Sequence, residues 1–359
     1  MRVLFVFLYL GLSSLSYGQR APIPHLPAIS PQEAGFHRDS INALDDTISN
    51  FQQRDYRALM VIKDQKIVLE YYYNSFWRNH LHDIRSAGKS ITALLLGVAI
   101  QEGLVENLEQ DVYSFFPQEK YPNVHEDYQK VQLIHLLNMV SGLDADSDDS
   151  NTPGNAGQWM GKAEWVQYLL QVPLAREPGK KWVYADLNAA LIGAIIEERS
   201  GMSLRDFAQQ KVFGPLDIQE FYWYTNAANQ TVAAGNLYLS ALDFAKLGLL
   251  VANRGKWGDK QLADPDYMDR LLHENSAAIG DYNPLADGYG LFWYRSTRKF
   301  GKREISYLWA SGNGGNHLVI VPEEHLVVAM TAGAYGNWFP HTRAYFILGK
   351  VIQALKSER

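Results

Sequence analysis

Two kinds of periodicity follow one another along this 359-residue chain, and their order limits the folds open to it. Arg57-Ala58-Leu59-Met60-Val61-Ile62-Lys63 and Lys66-Ile67-Val68-Leu69-Glu70-Tyr71-Tyr72-Tyr73 flank the polar pair Asp64-Gln65, which predicts a two-stranded hairpin rich in β-branched and aromatic residues. From residue 86 the period becomes helical: Ile91, Leu94, Leu95 and Val98 share a face, and Gly103 follows as a stop. Val131 to Met139 reads as a second helix, and Leu187 to Arg199 as a third that ends at Gly201. Strands return at Tyr289–Tyr294, Glu304–Ala310, His317–Val321 and Leu326–Thr331, and a helix from Ala344 to Leu355 closes the chain. The simplest arrangement is an α+β fold: one antiparallel sheet formed by both chain ends with flanking helices, and an inserted, mostly helical lobe over roughly residues 86–235. A cleft then lies between sheet and lobe.

The N-terminus has a separate character. Arg2, the apolar run Val3 to Leu12 and the small residues before Ser16-Tyr17-Gly18 match the three regions of a secretory signal peptide, residues 1–18. The apolar run is too short to span a bilayer, so residues 19–359 are expected as one periplasmic or secreted domain with no integral membrane segment after cleavage. Zero cysteines exclude disulfides, thiolate metal sites and a cysteine nucleophile. A formal net charge of −6 argues against nucleic acid as a partner. Nine tryptophans and twenty-one tyrosines exceed what a core needs, which points to an aromatic-lined cleft.

Arg85-Ser86-Ala87-Gly88-Lys89-Ser90 opens the first helix as Ser-x-x-Lys. Residues three apart share a helix face, so the Ser86 hydroxyl and the Lys89 amine point the same way. Serine needs such a base to become a nucleophile, and a helix N-terminus offers amides and partial positive charge to an oxyanion. The same spacing also fits a helix with a small first residue and a surface lysine. Tyr184 follows the Pro178-Gly179 turn and precedes the third helix, where its hydroxyl can relay a proton or its ring can staple the helix. Trp309-Ala310-Ser311-Gly312-Asn313-Gly314-Gly315-Asn316 ends a strand in a Gly-rich turn, which lets backbone approach a substrate and offer it N–H groups.

In this order these elements resemble the family of penicillin-binding proteins and serine β-lactamases, in particular its class C-like and esterase branch. The likeness runs through His82–Thr92, Ile134–Leu143, Tyr184-Ala185-Asp186, Leu191–Glu197 with Ser200–Leu204, and Trp309–Asn316, and so covers nearly all of the mature chain. It implies a β-lactamase/transpeptidase-like fold and acyl transfer in two steps, with neither cofactor nor metal. Ser86 attacks the carbonyl of a small ester, amide or lactam; Lys89, in its neutral form, takes the serine proton; Tyr184 passes a proton to the leaving group. The oxyanion lies between the amides of Ser86 and Asn313, Ser311 and Gly312 border the substrate, and water releases the acyl group.

Two departures bear on the substrate. The family's Tyr-x-Asn is Tyr184-Ala185-Asp186 here, and a carboxylate only accepts hydrogen bonds where an amide also donates. Asp186 either meets the substrate or caps the following helix. The third motif normally begins with Lys or His, but Ala310 stands before Ser311-Gly312, so the cation that binds a substrate carboxylate is missing. Both changes move the expected substrate from β-lactams and peptides toward less acidic esters or amides. A D-Ala-D-Ala carboxypeptidase and a penicillin sensor acylated without turnover are the competing readings.

Weaker signals carry bland alternatives. Gly88-Lys89-Ser90 ends like a phosphate-binding loop but lacks the first glycine, since position 83 is aspartate. Asp144, Asp146, Asp148 and Asp149 lack the glycine and glutamate of a calcium loop and read as a solvated acidic loop that favours cationic groups at the cleft mouth. His80 and His82 lack a zinc pattern. Arg295, Arg298, Lys299, Lys302 and Arg303 read as a solvated hairpin tip, unless one of them replaces the missing cation. Tyr222, Trp223, Tyr224 and Trp293 fit an aromatic pocket or the core equally well.

Overall fold

A computed structural model describes residues 26–274, 279 and 282–356. The expected signal peptide lies outside the described residues. Seven strands, β1 (Tyr56–Lys63), β2 (Lys66–Tyr72), β3 (Gly288–Gly290), β4 (Trp293–Phe300), β5 (Arg303–Gly312), β6 (Asn316–Val321) and β7 (Leu326–Ala332), pair in the order β2-β1-β7-β6-β5-β4-β3. Every pairing is antiparallel, and β1 from one end of the chain lies against β7 from the other. The expected sheet built from both chain ends is therefore present.

The central strands are buried on both faces because helices cover each one. The longer helices are α1 (Arg38–Ser49), α2 (Gly88–Gln101), α3 (Asp186–Ser200), α4 (Ala241–Ala252), α5 (Pro265–His273) and α6 (Phe339–Ala354). Gly248 of α4 packs on Leu318 and Val327, whereas α6 packs behind Trp309, His317 and Met330 on the other side of the pleat. The first face also receives α2, whose residues Gly88 to Ala99 are all buried. A helix apolar on every side belongs in the interior, which fixes the segment that begins at Ser86. Among the described residues no helix is long and apolar enough to cross a membrane.

The boundaries differ from expectation at two places. Tyr289–Tyr294 is not one strand: β3 and β4 meet at Leu291-Phe292, both with positive φ (51° and 62°). Such a turn normally asks for Asn-Gly. Here the Leu291 N–H donates to Asn138 Oδ1 (2.9 Å), the Phe292 N–H to the Leu137 carbonyl (2.9 Å), and the Ser90 hydroxyl to the Phe292 carbonyl (2.6 Å). Tertiary partners thus replace turn chemistry, and β4 extends through Arg295, Arg298 and Lys299, so that of the expected hairpin tip only Lys302 lies in the turn and Arg303 begins β5. The second helix contracts to Leu133–Leu137, and Met139 enters the left-handed region (φ 57°) two residues later. The third helix ends at Gly201 (φ 70°) as its sequence suggests.

Candidate active site

Ser86 is half-buried in a 3₁₀ turn, Arg85–Ala87, that runs directly into α2. The preceding residue, Arg85, has φ 52°, a conformation that costs a non-glycine residue roughly 1–3 kcal/mol and persists only where its surroundings enforce it. Two glycines do the enforcing. A Cβ at Gly312 would lie 1.9 Å from the Ile84 carbonyl oxygen, and one at Gly235 would lie 3.0 Å from that of Arg85. The absence of side chains lets the end of β5 and the 233–236 segment close on the turn that carries Ser86. Gly312 was legible as part of a motif; Gly235, remote in sequence and in no motif, was not.

Lys89, one turn further on, is only 1% exposed. Its ammonium lies 2.6 Å from Asp186 Oδ1, donates to the Ala234 carbonyl (2.9 Å) and sits 4.8 Å from the centre of the Tyr184 ring. Burial presses this amine toward its neutral form, but the Asp186 carboxylate, and then Tyr184, outweigh burial and hold its pKa above the ordinary lysine value. This direction runs against the neutral lysine that the family resemblance implies. The alternative that Asp186 caps α3 is also set aside, because the N-cap is Ala185, with no side-chain bond.

The acidic loop is part of this neighbourhood. The Ser147 N–H donates to the Tyr184 carbonyl (2.9 Å), and the Asp186 N–H donates to the Ser147 hydroxyl (3.0 Å). Burial, with Asp146 and Asp186 close by, raises the pKa of Asp148 despite a hydrogen bond from Tyr282. Tyr282 stacks on Tyr184 (centroids 5.6 Å apart, 22°), and Trp182 meets Tyr282 edge-on (4.7 Å). Trp182 and Tyr282 went unnoticed in the sequence because only the fold brings them to Tyr184.

Along β5, β4 pairs only from Arg303 to Trp309, so Ala310-Ser311-Gly312 present an edge that β4 does not cover. Gly312 faces Ile84, and Ser311 alternates to the face of its partner His317. Asn313 is fixed through both polar ends: Oδ1 accepts the Gly336 N–H (2.8 Å), and its carbonyl accepts Asn316 Nδ2 (2.9 Å). Ala310 is fully buried, and no neighbouring basic residue of β4 or β5 substitutes for it. Arg295 is turned to the carbonyls of Leu271, Leu272 and Glu274 at the end of α5; Arg298 pairs with Asp287 (2.6 Å) and Arg303 with Glu324 (2.8 Å). The four aromatic candidates divide, with Trp223 and Trp293 in the core (1% and 0% exposed) and Tyr222 and Tyr224 at the surface (51% and 41%).

A buried lysine one turn from a serine, a Tyr-x-Asp segment locked on that lysine and a glycine strand closed on the same turn form one constellation. The family model described as Beta-lactamase matches residues 44–351, and the chain belongs to that family of serine hydrolases. A Salmonella paratyphi B protein named "Putative D-alanyl-D-alanine carboxypeptidase" is 25% identical over 218 residues, 55% of this chain and 50% of that protein. The match thus spans about half the length of such curated relatives. Among solved structures, a "Putative 6-aminohexanoate-dimer hydrolase" from Bacillus anthracis is similar with TM-score 0.71 and 17% identity, over 93% of this chain and 89% of that one. A penicillin-binding protein homologue from Caulobacter crescentus gives TM-score 0.70 and 14% identity, over 92% and 100% of the two chains. At these identities the structures speak for the fold.

Proposed function

We propose that the protein is an exported serine hydrolase that cleaves a small ester or amide, with lactams among the candidate substrates, through an acyl-enzyme on Ser86. The reading is carried by one observation: a buried ammonium one turn after a half-exposed serine, held jointly by Asp186 and the Ala234 carbonyl beside the Tyr184 ring. A buried charge is costly unless paired, and a core has no need of it. Tyr184 acts as the base in its tyrosinate form, which the neighbouring Lys89 ammonium stabilises: the tyrosinate takes the Ser86 proton as the hydroxyl attacks, and the neutral tyrosine returns it to the leaving group, which restores the tyrosinate. The amides of Ser86 and Asn313 receive the oxyanion. Asp186, which only accepts hydrogen bonds and is engaged with Lys89, is not available to donate to a substrate carbonyl. This supports esters and linear amides ahead of β-lactams.

The test is a single preparation assayed with p-nitrophenyl esters, short linear amides, a D-Ala-D-Ala peptide and a chromogenic cephalosporin, alongside labelling by a serine-directed phosphonate. Turnover of an ester or amide, with the label mapped to Ser86, is the expected outcome. An adduct on Ser86 that persists for hours without product would replace the hydrolase with an acylated sensor. No label and no turnover would remove the acyl-enzyme altogether.

A further inference from the structure

The missing cation of the third motif leaves open whether this cleft can hold a carboxylate at all. We propose that Arg85, the residue immediately before the nucleophile, is a carboxylate-binding residue that selects esters or amides bearing a free carboxylate near the scissile bond. The proposal rests on the hydrolase reading above and specifies its substrate class.

Four features set this side chain apart. Its backbone is held at φ 52° although it is not glycine, in the turn on which Gly235 and Gly312 close. Both its inner nitrogens meet one buried carboxylate: the Arg85 N–H donates to Asp83 Oδ1 (3.0 Å), and Nε lies 2.9 Å from Asp83 Oδ2. The guanidinium lies 4.6 Å from the centre of the Tyr335 ring, and Tyr335 is braced by a bond from Arg57 Nη1 (3.3 Å). Despite these supports the side chain is 41% exposed, and among the described residues its Nη nitrogens donate no hydrogen bond. A planar guanidinium fixed at its inner end and on its flat face, with its fork turned outward, is arranged to grip a carboxylate with two N–H groups.

Its position supplies the link to the reaction. A Cβ at Gly312 would sit 3.3 Å from the Arg85 Cβ, so this side chain leaves the nucleophile turn beside the end of β5, two residues beyond the Ala310 that carries no charge. The function of the absent lysine is thereby moved from the strand to the turn that carries Ser86. Asp146, Asp148 and Asp186 gather by contrast at Tyr184. A carboxylated substrate is thus oriented with its anionic end toward Tyr335 and away from the acidic loop.

The experiment compares matched esters: 4-nitrophenyl hydrogen glutarate against 4-nitrophenyl valerate for the acyl side, and 4-acetoxybenzoate against its methyl ester for the leaving group. The wild-type protein should prefer the carboxylated member of at least one pair. Arg85→Gln should lower that preference, read as a ratio of kcat/KM, by roughly tenfold to a hundredfold, the range of a lost charge-assisted hydrogen bond. An unchanged ratio in both pairs overturns the proposal. Should the variant not fold, raising the ionic strength must erode the ratio of the wild-type protein, and a salt-independent ratio overturns it equally. Calorimetric titration of the same esters into Ser86→Ala, with and without Arg85→Gln, reads the preference without turnover. A chain inactive on every ester would then sink the hydrolase reading while the binding difference still decided for or against Arg85.

Discussion

Two buried clusters of titratable groups lie on opposite faces of the sheet; burial presses the bases of both toward neutrality, and a counter-charge opposes it in only one of the two. In front, Lys89 keeps its charge because Asp186 lies 2.6 Å away, and the cluster opens to solvent through Asp186, whose side chain is 25% exposed. Behind, His317 on β6 and His341 on α6 share one hydrogen bond, Nε2 to Nδ1 at 2.9 Å, and Trp309 stacks on His317. Burial pushes the His341 pKa down to about 4 and that of His317 well below its ordinary value, so both rings stay neutral. Depth alone therefore does not mark a site. A candidate site joins a charge to its complement at an opening, whereas a pair of bases packed beneath Trp309 suppresses charge.

The largest expected effect tests the front cluster directly. Ser86→Ala should reduce kcat/KM by at least about 10³-fold and abolish phosphonate labelling with little change in the melting temperature, and near-normal turnover would make the two clusters equivalent. Asp186→Asn comes next. It restores the family's Tyr-x-Asn and removes the carboxylate that keeps Lys89 charged, so burial acts with less opposition and the Lys89 pKa falls. Chemical denaturation at neutral pH should show a loss of about 1–3 kcal/mol, less than for a fully enclosed pair because water reaches Asp186. A pH–rate profile identical to that of the wild type would detach Asp186 from the chemistry.

The rear pair predicts acid sensitivity. The folded pKa values are depressed, so the contribution of the neutral rings is fully present above the ordinary histidine value, near 6.5, and is lost as pH falls toward about 4, where His341 titrates. Unfolding free energies from urea titrations across that window should decline by up to about 1.4 kcal/mol per pH unit for each histidine, and His341→Gln, which can keep the bond to His317, should flatten the decline. An equal slope in the variant would assign the loss to other groups. The smallest expected effect on activity is that of Ala310→His, which also overpacks a fully buried position at about 1–3 kcal/mol. It should nonetheless raise cephalosporin hydrolysis, and unchanged or lower activity would mean that the missing cation is not what disfavours β-lactams.

Legibility followed sequence distance. Ser86 and Lys89 share one helical turn, and Tyr184-Ala185-Asp186 is a local signature, so their types and spacing were enough to suggest a common site. Asp186 was read as a substrate contact or a cap because its actual partner, Lys89, lies on another helix. The strand β4 stayed hidden because alternation was masked by Arg295, Arg298 and Lys299, whose charges are satisfied by carbonyls, by Asp287 or by water. Arg85 drew no notice, since nothing local to Asp83-Ile84-Arg85 announces a left-handed arginine or the ring of Tyr335 above it.

The Leu291-Phe292 turn has a consequence for how the molecule assembles. An apolar pair of this kind has little tendency to reverse the chain unaided, and its polar backbone groups are held by Leu137, Asn138 and Ser90, the last being the neighbour of Lys89 on α2. The hydrogen bonds that hold the outer hairpin of the sheet therefore depend on the helix that carries Lys89 being docked, and the two are expected to open together. In hydrogen exchange the amides of Leu291 and Phe292 should report the integrity of the first turn of α2: the rim of the sheet serves as a latch, fastened only when the interior of the cleft is complete.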